Sequence, residues 1–78
     1  MPRYFFNVHY DSHTHVDEVG EDLADDRAAW REATSVTGES IKDLDGKLTP
    51  GAEWCMEVVD GAGHPLYRIV VATRRLRR

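Results

Sequence analysis

The chain has 78 residues, 41% of them hydrophobic, with 14 acidic and 10 basic side chains and a formal net charge of −4. A chain of this length forms one domain and buries only about 60–65% of its unfolded surface, so one helix on one sheet leaves no room for a deep substrate cavity. An autonomous enzyme acting on small molecules is therefore not expected, and assembly with a second copy would relieve the shortage of buried surface.

The only cysteine, Cys55, excludes an intrachain disulfide and fits a reducing compartment. A helix needs about 20 apolar residues to cross a bilayer, and no apolar stretch in the sequence approaches that length. The N-terminus also lacks a charged region followed by an apolar signal segment. We expect a cytoplasmic protein without a cofactor and without membrane association.

The first predicted strand covers residues 3–10, where large apolar side chains occupy alternate positions: Tyr4, Phe6, Val8 and Tyr10. A period of two is typical of a strand with one apolar face. Residues 11–13 supply a turn. A weaker, polar strand over residues 14–19 completes the hairpin, suits an exposed sheet edge and ends at Gly20.

One amphipathic helix is predicted over residues 26–44. Asp25 is the expected N-cap, because its carboxylate can accept a hydrogen bond from an unpaired backbone N–H. Gly38, in mid-helix, marks either a close approach to the sheet or a weak point. Asp45-Gly46 ends the helix, since glycine readily adopts the left-handed conformation. The apolar and small side chains share one side: Ala29, Trp30, Ala33, Val36, Thr37, Ser40, Ile41 and Leu44.

Two further strands, residues 53–60 and 65–71, flank a glycine-rich turn. The core is expected to form where the apolar faces of the strands meet the helix, with both Trp30 and Trp54 inside it. We therefore predict an α+β fold of order ββαββ, in which a four-stranded, mainly antiparallel sheet carries one helix on one face. Residues 1–78 form a single domain.

One helix can cover only one face of four strands, so the opposite face is left without a partner in its own chain. Alternation places several large apolar side chains there, and such a face is typical of an association surface. The leading hypothesis is a non-enzymatic protein-interaction module that self-associates as a homo-oligomer, with a dimer favoured. The expected interface residues are Phe5, Val59, Leu66 and Val70.

Charge is distributed unevenly along the chain. Residues 11–26 hold seven acids and no lysine or arginine, whereas residues 74–78 hold four arginines: Arg74, Arg75, Arg77 and Arg78. One interpretation is a solubilising acidic face followed by a flexible basic tail. The other is that the tail docks on an acidic surface or on nucleic acid, as in an antitoxin-like regulator. Because the rest of the chain is acidic, only non-specific, salt-sensitive phosphate contacts are expected.

Three histidines, His9, His13 and His15, surround the first predicted turn. Imidazoles across a hairpin can bind Zn²⁺ or Ni²⁺, so metal binding is a further alternative. Structural zinc sites usually combine cysteine with two separated ligand pairs, however, and a polar exposed turn is the favoured interpretation. Cys55 would need a neighbouring histidine such as His9 to act as a nucleophile, and a thiol in mid-strand usually packs as a small apolar side chain.

Three motifs follow one another along nearly the whole chain: M-P-R-Y-F-F-N-V-H at residues 1–9, G-x-x-L-x-D-x-x-A-A-x-x-E-A at residues 20–33, and E-W-x-M-E-V-x-D-x-x-G-x-P-L-Y at residues 53–67. Together they resemble a family of small bacterial proteins of unknown function. The motifs consist of strand, cap, helix and hairpin residues. The resemblance therefore implies a small bacterial protein without an assigned activity and brings no functional residues with it.

Overall fold

Five antiparallel strands and one helix make up the fold in the computed structural model, which describes residues 1–77. The elements are β1 (Arg3–Tyr10), β2 (His13–His15), β3 (Glu21–Asp22), α1 (Asp26–Leu44), β4 (Glu53–Asp60) and β5 (Pro65–Ala72). The sheet has the order β2-β1-β4-β5, and the two-residue β3 also pairs with β1. The α+β class with one helix on an antiparallel sheet is confirmed, and the short β3 adds a fifth strand.

The helix begins and ends where the sequence predicted. Asp25 is the N-cap, and its side chain accepts a hydrogen bond of 2.9 Å from the Ala28 N–H. At the other end the left-handed conformation is adopted by Asp45, at φ 47°, and then by Gly46, at φ 86°. The turn therefore starts one residue earlier than glycine alone would place it, which an aspartate tolerates better than most residues.

The core lies where the helix approaches the middle of the sheet. Ala29 and Ala33 are fully buried, and their small side chains let α1 come close to the strand that carries Trp54, Met56 and Val58. Tyr4 and Phe6 of β1 complete the buried cluster. The Tyr4 hydroxyl donates a hydrogen bond of 2.8 Å to Asp26, which raises the pKa of Tyr4 to about 12.

The prediction that Trp30 belongs to the core was wrong. Its side chain is 41% exposed and lies against Tyr67 of β5, with the ring centroids 5.1 Å apart. The buried position on this side of the helix belongs to Ala29, one residue earlier. Because successive helix residues are about 100° apart, a shift of one position moves a side chain from the core to its rim.

The predicted second strand, residues 14–19, was wrong in extent. Strand β2 ends at His15, and β3 pairs with β1 again only at Arg3 and Tyr4. Between them the Asp17 carboxylate takes the place of a neighbouring strand, because its Oδ2 accepts a hydrogen bond of 3.1 Å from the Phe6 N–H. The Asp17 N–H donates in turn to the Asn7 side chain, at 2.9 Å. The outer edge of β1 is thus capped by a side chain.

Asp17 also holds the turn that follows it. Its Oδ1 accepts hydrogen bonds from the Val19 and Gly20 N–H groups, at 3.1 and 3.0 Å. Burial alone would raise the pKa of Asp17, but the backbone hydrogen bonds from Gly20, Phe6 and Val19 outweigh it and hold the pKa below its ordinary value. The ionised form is therefore the form that stabilises this edge.

Asp17→Asn is expected to lower the free energy of unfolding by about 1–3 kcal/mol at neutral pH, because an amide oxygen accepts hydrogen bonds more weakly than a carboxylate. Because the folded-state pKa is depressed, the advantage is fully present above the unfolded pKa of about 4 and is lost as pH falls through the folded pKa. Urea unfolding at neutral pH and at pH ~3 measures the stability difference and its loss in acid. Glu18→Gln, at an exposed neighbouring position, is the control. A gap between wild type and variant that is independent of pH would contradict this role.

The side chains of strand β5 do not alternate regularly between the two sheet faces along its whole length. Val58 pairs with Tyr67, but Val59 pairs with Pro65, so Leu66 is an extra residue in a β-bulge. Leu66 packs against the core cluster. Leu66 also borders a shallow depression with Glu57 and Arg68, which lie on the opposite sheet face, so its prediction as a residue of that face stays a prediction.

Candidate interaction surface

The sheet face opposite α1, called the reverse face from here on, carries a mixture of apolar and charged side chains. It follows from the alternation on β1, β4 and β5, whose paired residues share a face. The helix lies over the other face, against β4 and β5. The reverse face comprises Phe5, Asn7, His9, Cys55, Glu57, Val59, Arg68 and Val70.

The three predicted interface residues on the reverse face are covered to different degrees. Phe5 is half-buried because Gly20 lies against its ring; a Cβ on Gly20 would be 2.7 Å from Phe5 Cε2. Val59 is Phe5's partner on β4 and is half-buried as well. Val70, on β5, is 51% exposed. The apolar surface open to a partner is therefore concentrated around Val70 rather than spread across the whole face.

A shallow depression of about 360 Å³ crosses the middle of the reverse face. Glu57 and Arg68 pair across β4 and β5 there, and Arg68 donates a hydrogen bond of 2.6 Å to the Glu57 carboxylate. This hydrogen bond raises the pKa of Arg68. Because each charge is neutralised by its neighbour, the face around Val70 presents a balanced ion pair to a partner.

His9 and Cys55 are direct cross-strand partners at the edge of this depression, as the sequence suggested. His9 Nδ1 and Thr14 Oγ1 share a hydrogen bond of 2.7 Å. The imidazole is therefore oriented by Thr14 of β2. The prediction of a non-enzymatic protein stays a prediction.

The three histidines do not converge on one point. His13 and His15 pair with Tyr10 and Val8 and therefore lie on the helix side of the sheet, whereas His9 faces the reverse side. The His13 ring stacks on Tyr10, with centroids 5.0 Å apart. Across residues 1–77, no three His, Cys, Asp or Glu side chains are close enough to hold a metal ion. Residues 9 and 13 of the hairpin do not share a face, so this arrangement gives no support to a metal site shared by the three histidines, which stays a hypothesis.

The two edges of the sheet differ in how far they are protected. On the β1 side, β2 and β3 are three and two residues long, and Asp17 fills the gap between them. On the other side, β5 is eight residues long and has no strand beyond it among the described residues. Short edges and capped groups prevent further strand pairing, whereas a long regular edge permits it.

The basic tail leaves the sheet at the end of β5. Arg74, Arg75 and Arg77 are exposed and lie beyond the last strand; Arg78 lies outside the described residues. Thr73 anchors the start of the tail, because its N–H donates to the Ala52 carbonyl and its carbonyl accepts from the Gly51 N–H. Contact between the tail and nucleic acid stays a prediction.

Trp30, which is exposed, and Tyr67, which is half-buried, form an aromatic pair that sequence reasoning missed. Together with Arg27 they line a shallow cleft of about 260 Å³ on the helix side of β5. Helical periodicity alone assigned the Trp30 ring to the core. A signal was present in Ala28-Ala29, since two small residues before Trp30 leave the choice of the buried position open.

The fold and this surface define a class: a small α+β protein whose antiparallel sheet is covered by a helix on one face and left open on the other. Within residues 1–77, no helix is long and apolar enough to cross a membrane. Residues 3–72 match the family described as a domain of unknown function, DUF6894, and the chain belongs to that family. No curated protein and no solved structure matches the chain.

Proposed function

We propose that this protein is a non-enzymatic interaction module of the bacterial cytoplasm that works as a homodimer, with a contact surface centred on Val70. The observation that carries the proposal is the exposure of Val70, which is 51% accessible in the regular part of β5. No strand lies beyond β5 in the part of the chain that the structure describes. Burying a large aliphatic side chain against a partner removes apolar surface from water, and this stabilises the complex.

A second copy of the chain is the partner that this surface fits. Within residues 1–77 the core consists of only seven buried residues, so the domain gains stability from any further apolar burial. The Glu57–Arg68 pair is balanced within one chain, so two copies can approach without bringing uncompensated charges together. Isologous dimers, in which the same patch serves both copies, are the commonest homo-oligomers.

Val70→Glu is expected to convert the dimer into a monomer, because it places one acid of each copy in the contact. Size-exclusion chromatography with light scattering measures the mass, and circular dichroism checks that the variant stays folded. Val16→Glu is the matched control, since Val16 is 60% exposed but lies beyond β2, on the far side of the sheet. It is expected to leave the mass unchanged. A wild-type chain that is monomeric at hundreds of micromolar would overturn the proposal.

Nucleic-acid association through the tail is the second candidate. It is supported by the exposure of Arg74, Arg75 and Arg77 beyond the last strand. On this alternative, removing residues 74–78 abolishes binding to duplex DNA, and the affinity falls steeply as salt is added. Binding that survives the truncation would reject this role for the tail.

A further inference from the structure

We infer that the second copy joins the sheet edge to edge: β5 of each chain pairs antiparallel with β5 of the other around a two-fold axis at Val70, which gives one continuous sheet. The inference rests on the proposed homodimer and specifies its geometry. The alternative geometry, in which two reverse faces stack on each other, uses the same Val70 but leaves the edges of both sheets open.

The outer edge of β5 is regular and unblocked over most of its length, so another strand can pair with it. Pro65 and the bulge at Leu66 blunt only its first two residues. From Tyr67 to Ala72 the register with β4 is regular. The single charge in that stretch, Arg68, is held by Glu57 of the same chain. The opposite edge, by contrast, is blocked by the short β2 and β3 and by Asp17.

The backbone groups available at this edge can be assigned from the hydrogen bonds of Thr73. Its N–H donates to Ala52 and its carbonyl accepts from Gly51, so the backbone of Thr73 faces β4. The direction reverses at each residue of a strand. Ile69 and Val71 therefore face β4 as well, and the N–H and C=O groups that point outward belong to Arg68, Val70 and Ala72.

One register satisfies these groups best. With the two-fold axis at Val70, Val70 pairs with the partner's Val70, and Arg68 pairs with the partner's Ala72. Each such pair exchanges two backbone hydrogen bonds. Moving the axis to Arg68 would place two arginines opposite each other. Moving the axis to Val71 would place Arg68 opposite the partner's Arg74. Like charges directly across a strand pair are destabilising. An axis at Ile69 would set Ala72 opposite the bulged Leu66, so the axis at Val70 is favoured.

Exposed apolar groups lie on both sides of this edge. Val70 is 51% exposed on the reverse face, and Trp30, against Tyr67, is 41% exposed on the helix side. In the proposed register Tyr67 lies across from the partner's Thr73, so the end of the partner strand passes beside the Trp30–Tyr67 pair. Stacking of two reverse faces would cover Val70 only. Edge pairing covers both exposed groups.

The charge distribution also favours the antiparallel arrangement. Acids lie at the end of the sheet where β5 begins: Asp60 ends β4, and farther across the sheet Asp26 accepts a hydrogen bond from Tyr4 and Asp22 is paired with Arg3. Basic residues gather where β5 ends, since the arginine tail follows it. An antiparallel pair brings the tail of each chain beside the acidic end of the other. Complementary charge of this kind sets orientation and speeds association.

Amide hydrogen exchange followed by NMR tests the geometry on the full chain. At concentrations where light scattering shows a dimer, the Arg68, Val70 and Ala72 amides are expected to exchange at least tenfold more slowly than in the monomer. The Ile69 and Val71 amides, which bond to β4, are protected in both states and serve as the internal control. A dimer in which the three outward amides still exchange rapidly would overturn edge pairing but leave the proposed function standing. A monomer at every concentration would overturn both.

Charge reversal tests the orientation independently. The full-length triple variant Arg74→Glu, Arg75→Glu, Arg77→Glu is expected to weaken the dimer about tenfold at low salt, and the loss is expected to shrink as salt is added. The control triple variant Arg31→Glu, Lys42→Glu, Lys47→Glu changes the net charge equally but leaves the tail intact. Equal weakening by both variants would show an effect of net charge alone and would overturn the contact between tail and acidic end.

Discussion

Trp54→Ala is expected to lower the free energy of unfolding by about 3–5 kcal/mol, the largest effect of any single substitution considered in this protein. The Trp54 side chain is 1% exposed. With Met56 and Val58 it is one of the three largest fully buried side chains among the described residues. Removing the indole loses its transfer free energy and leaves a cavity in the core. A domain of this size has a total stability of about 4–12 kcal/mol, so much of the margin disappears.

The other tryptophan provides a matched control. Trp30 is 41% exposed, and its main contact is the tilted packing on Tyr67. Trp30→Ala is expected to cost only about 1 kcal/mol, since the surrounding side chains already face water and an aromatic pair contributes about 0.5–1.5 kcal/mol. Urea unfolding followed by far-ultraviolet circular dichroism compares the two variants without relying on tryptophan fluorescence. Equal losses would contradict the assignment of Trp54 to the core and of Trp30 to its rim.

Gly20→Ala is expected to destabilise the fold by about 2–4 kcal/mol. Gly20 has φ +77°, in the left-handed region that costs a residue with a Cβ about 1–2 kcal/mol. An alanine Cβ there would also be 2.7 Å from Phe5 Cε2 and 2.9 Å from Arg3 Cγ. The turn would have to move away from the reverse face, which disturbs the hydrogen bonds that Asp17 makes to it.

Gly38→Ala is the control with the opposite expected sign. Gly38 is in the middle of α1, and nothing lies within 4 Å of a Cβ built on it. The structure therefore shows no close approach of the sheet at this position. Alanine should stabilise the helix by about 0.5–1 kcal/mol, because glycine loses more backbone freedom on folding. Thermal unfolding of the two variants is expected to move in opposite directions. A gain in stability from Gly20→Ala would contradict the close contact with Phe5.

Local chemistry was sufficient to predict the helix and the three long strands. Asp25 fixes the start of α1 through its own side chain, and alternation over eight residues fixes the faces of β1 and β4. These features depend on neighbours in the sequence, so a sequence displays them directly. The strands that depend on distant contacts were predicted less well. Residues 14–19 did not form one strand because Asp17 bonds to Phe6, eleven positions earlier.

In the candidate interface, too, features set by neighbouring residues were predicted better than features set by distant contacts. Val70 was predicted on the open face and lies there, because regular pairing from Tyr67 to Ala72 preserves the period of two. The bulge that inserts Leu66 opposite Val58 and Val59 was not predicted, because nothing in the type of residue 66 indicates it. Phe5 lies on the predicted face but is partly covered by Gly20, a contact between two segments that the sequence keeps fifteen positions apart. The open edge of β5 follows from strand order, which local patterns do not specify.

Isotope-filtered nuclear Overhauser spectroscopy on a mixture of labelled and unlabelled chains detects only contacts between two copies and therefore shows whether β5 of one chain pairs with β5 of the other. We expect intermolecular signals from the Val70 methyl groups to Val70 of the other chain, together with signals between Tyr67 and the partner's Thr73. Intermolecular signals confined to β2 or to α1, or no intermolecular signals at concentrations where a dimer should form, would contradict the account that a second copy completes the sheet at β5.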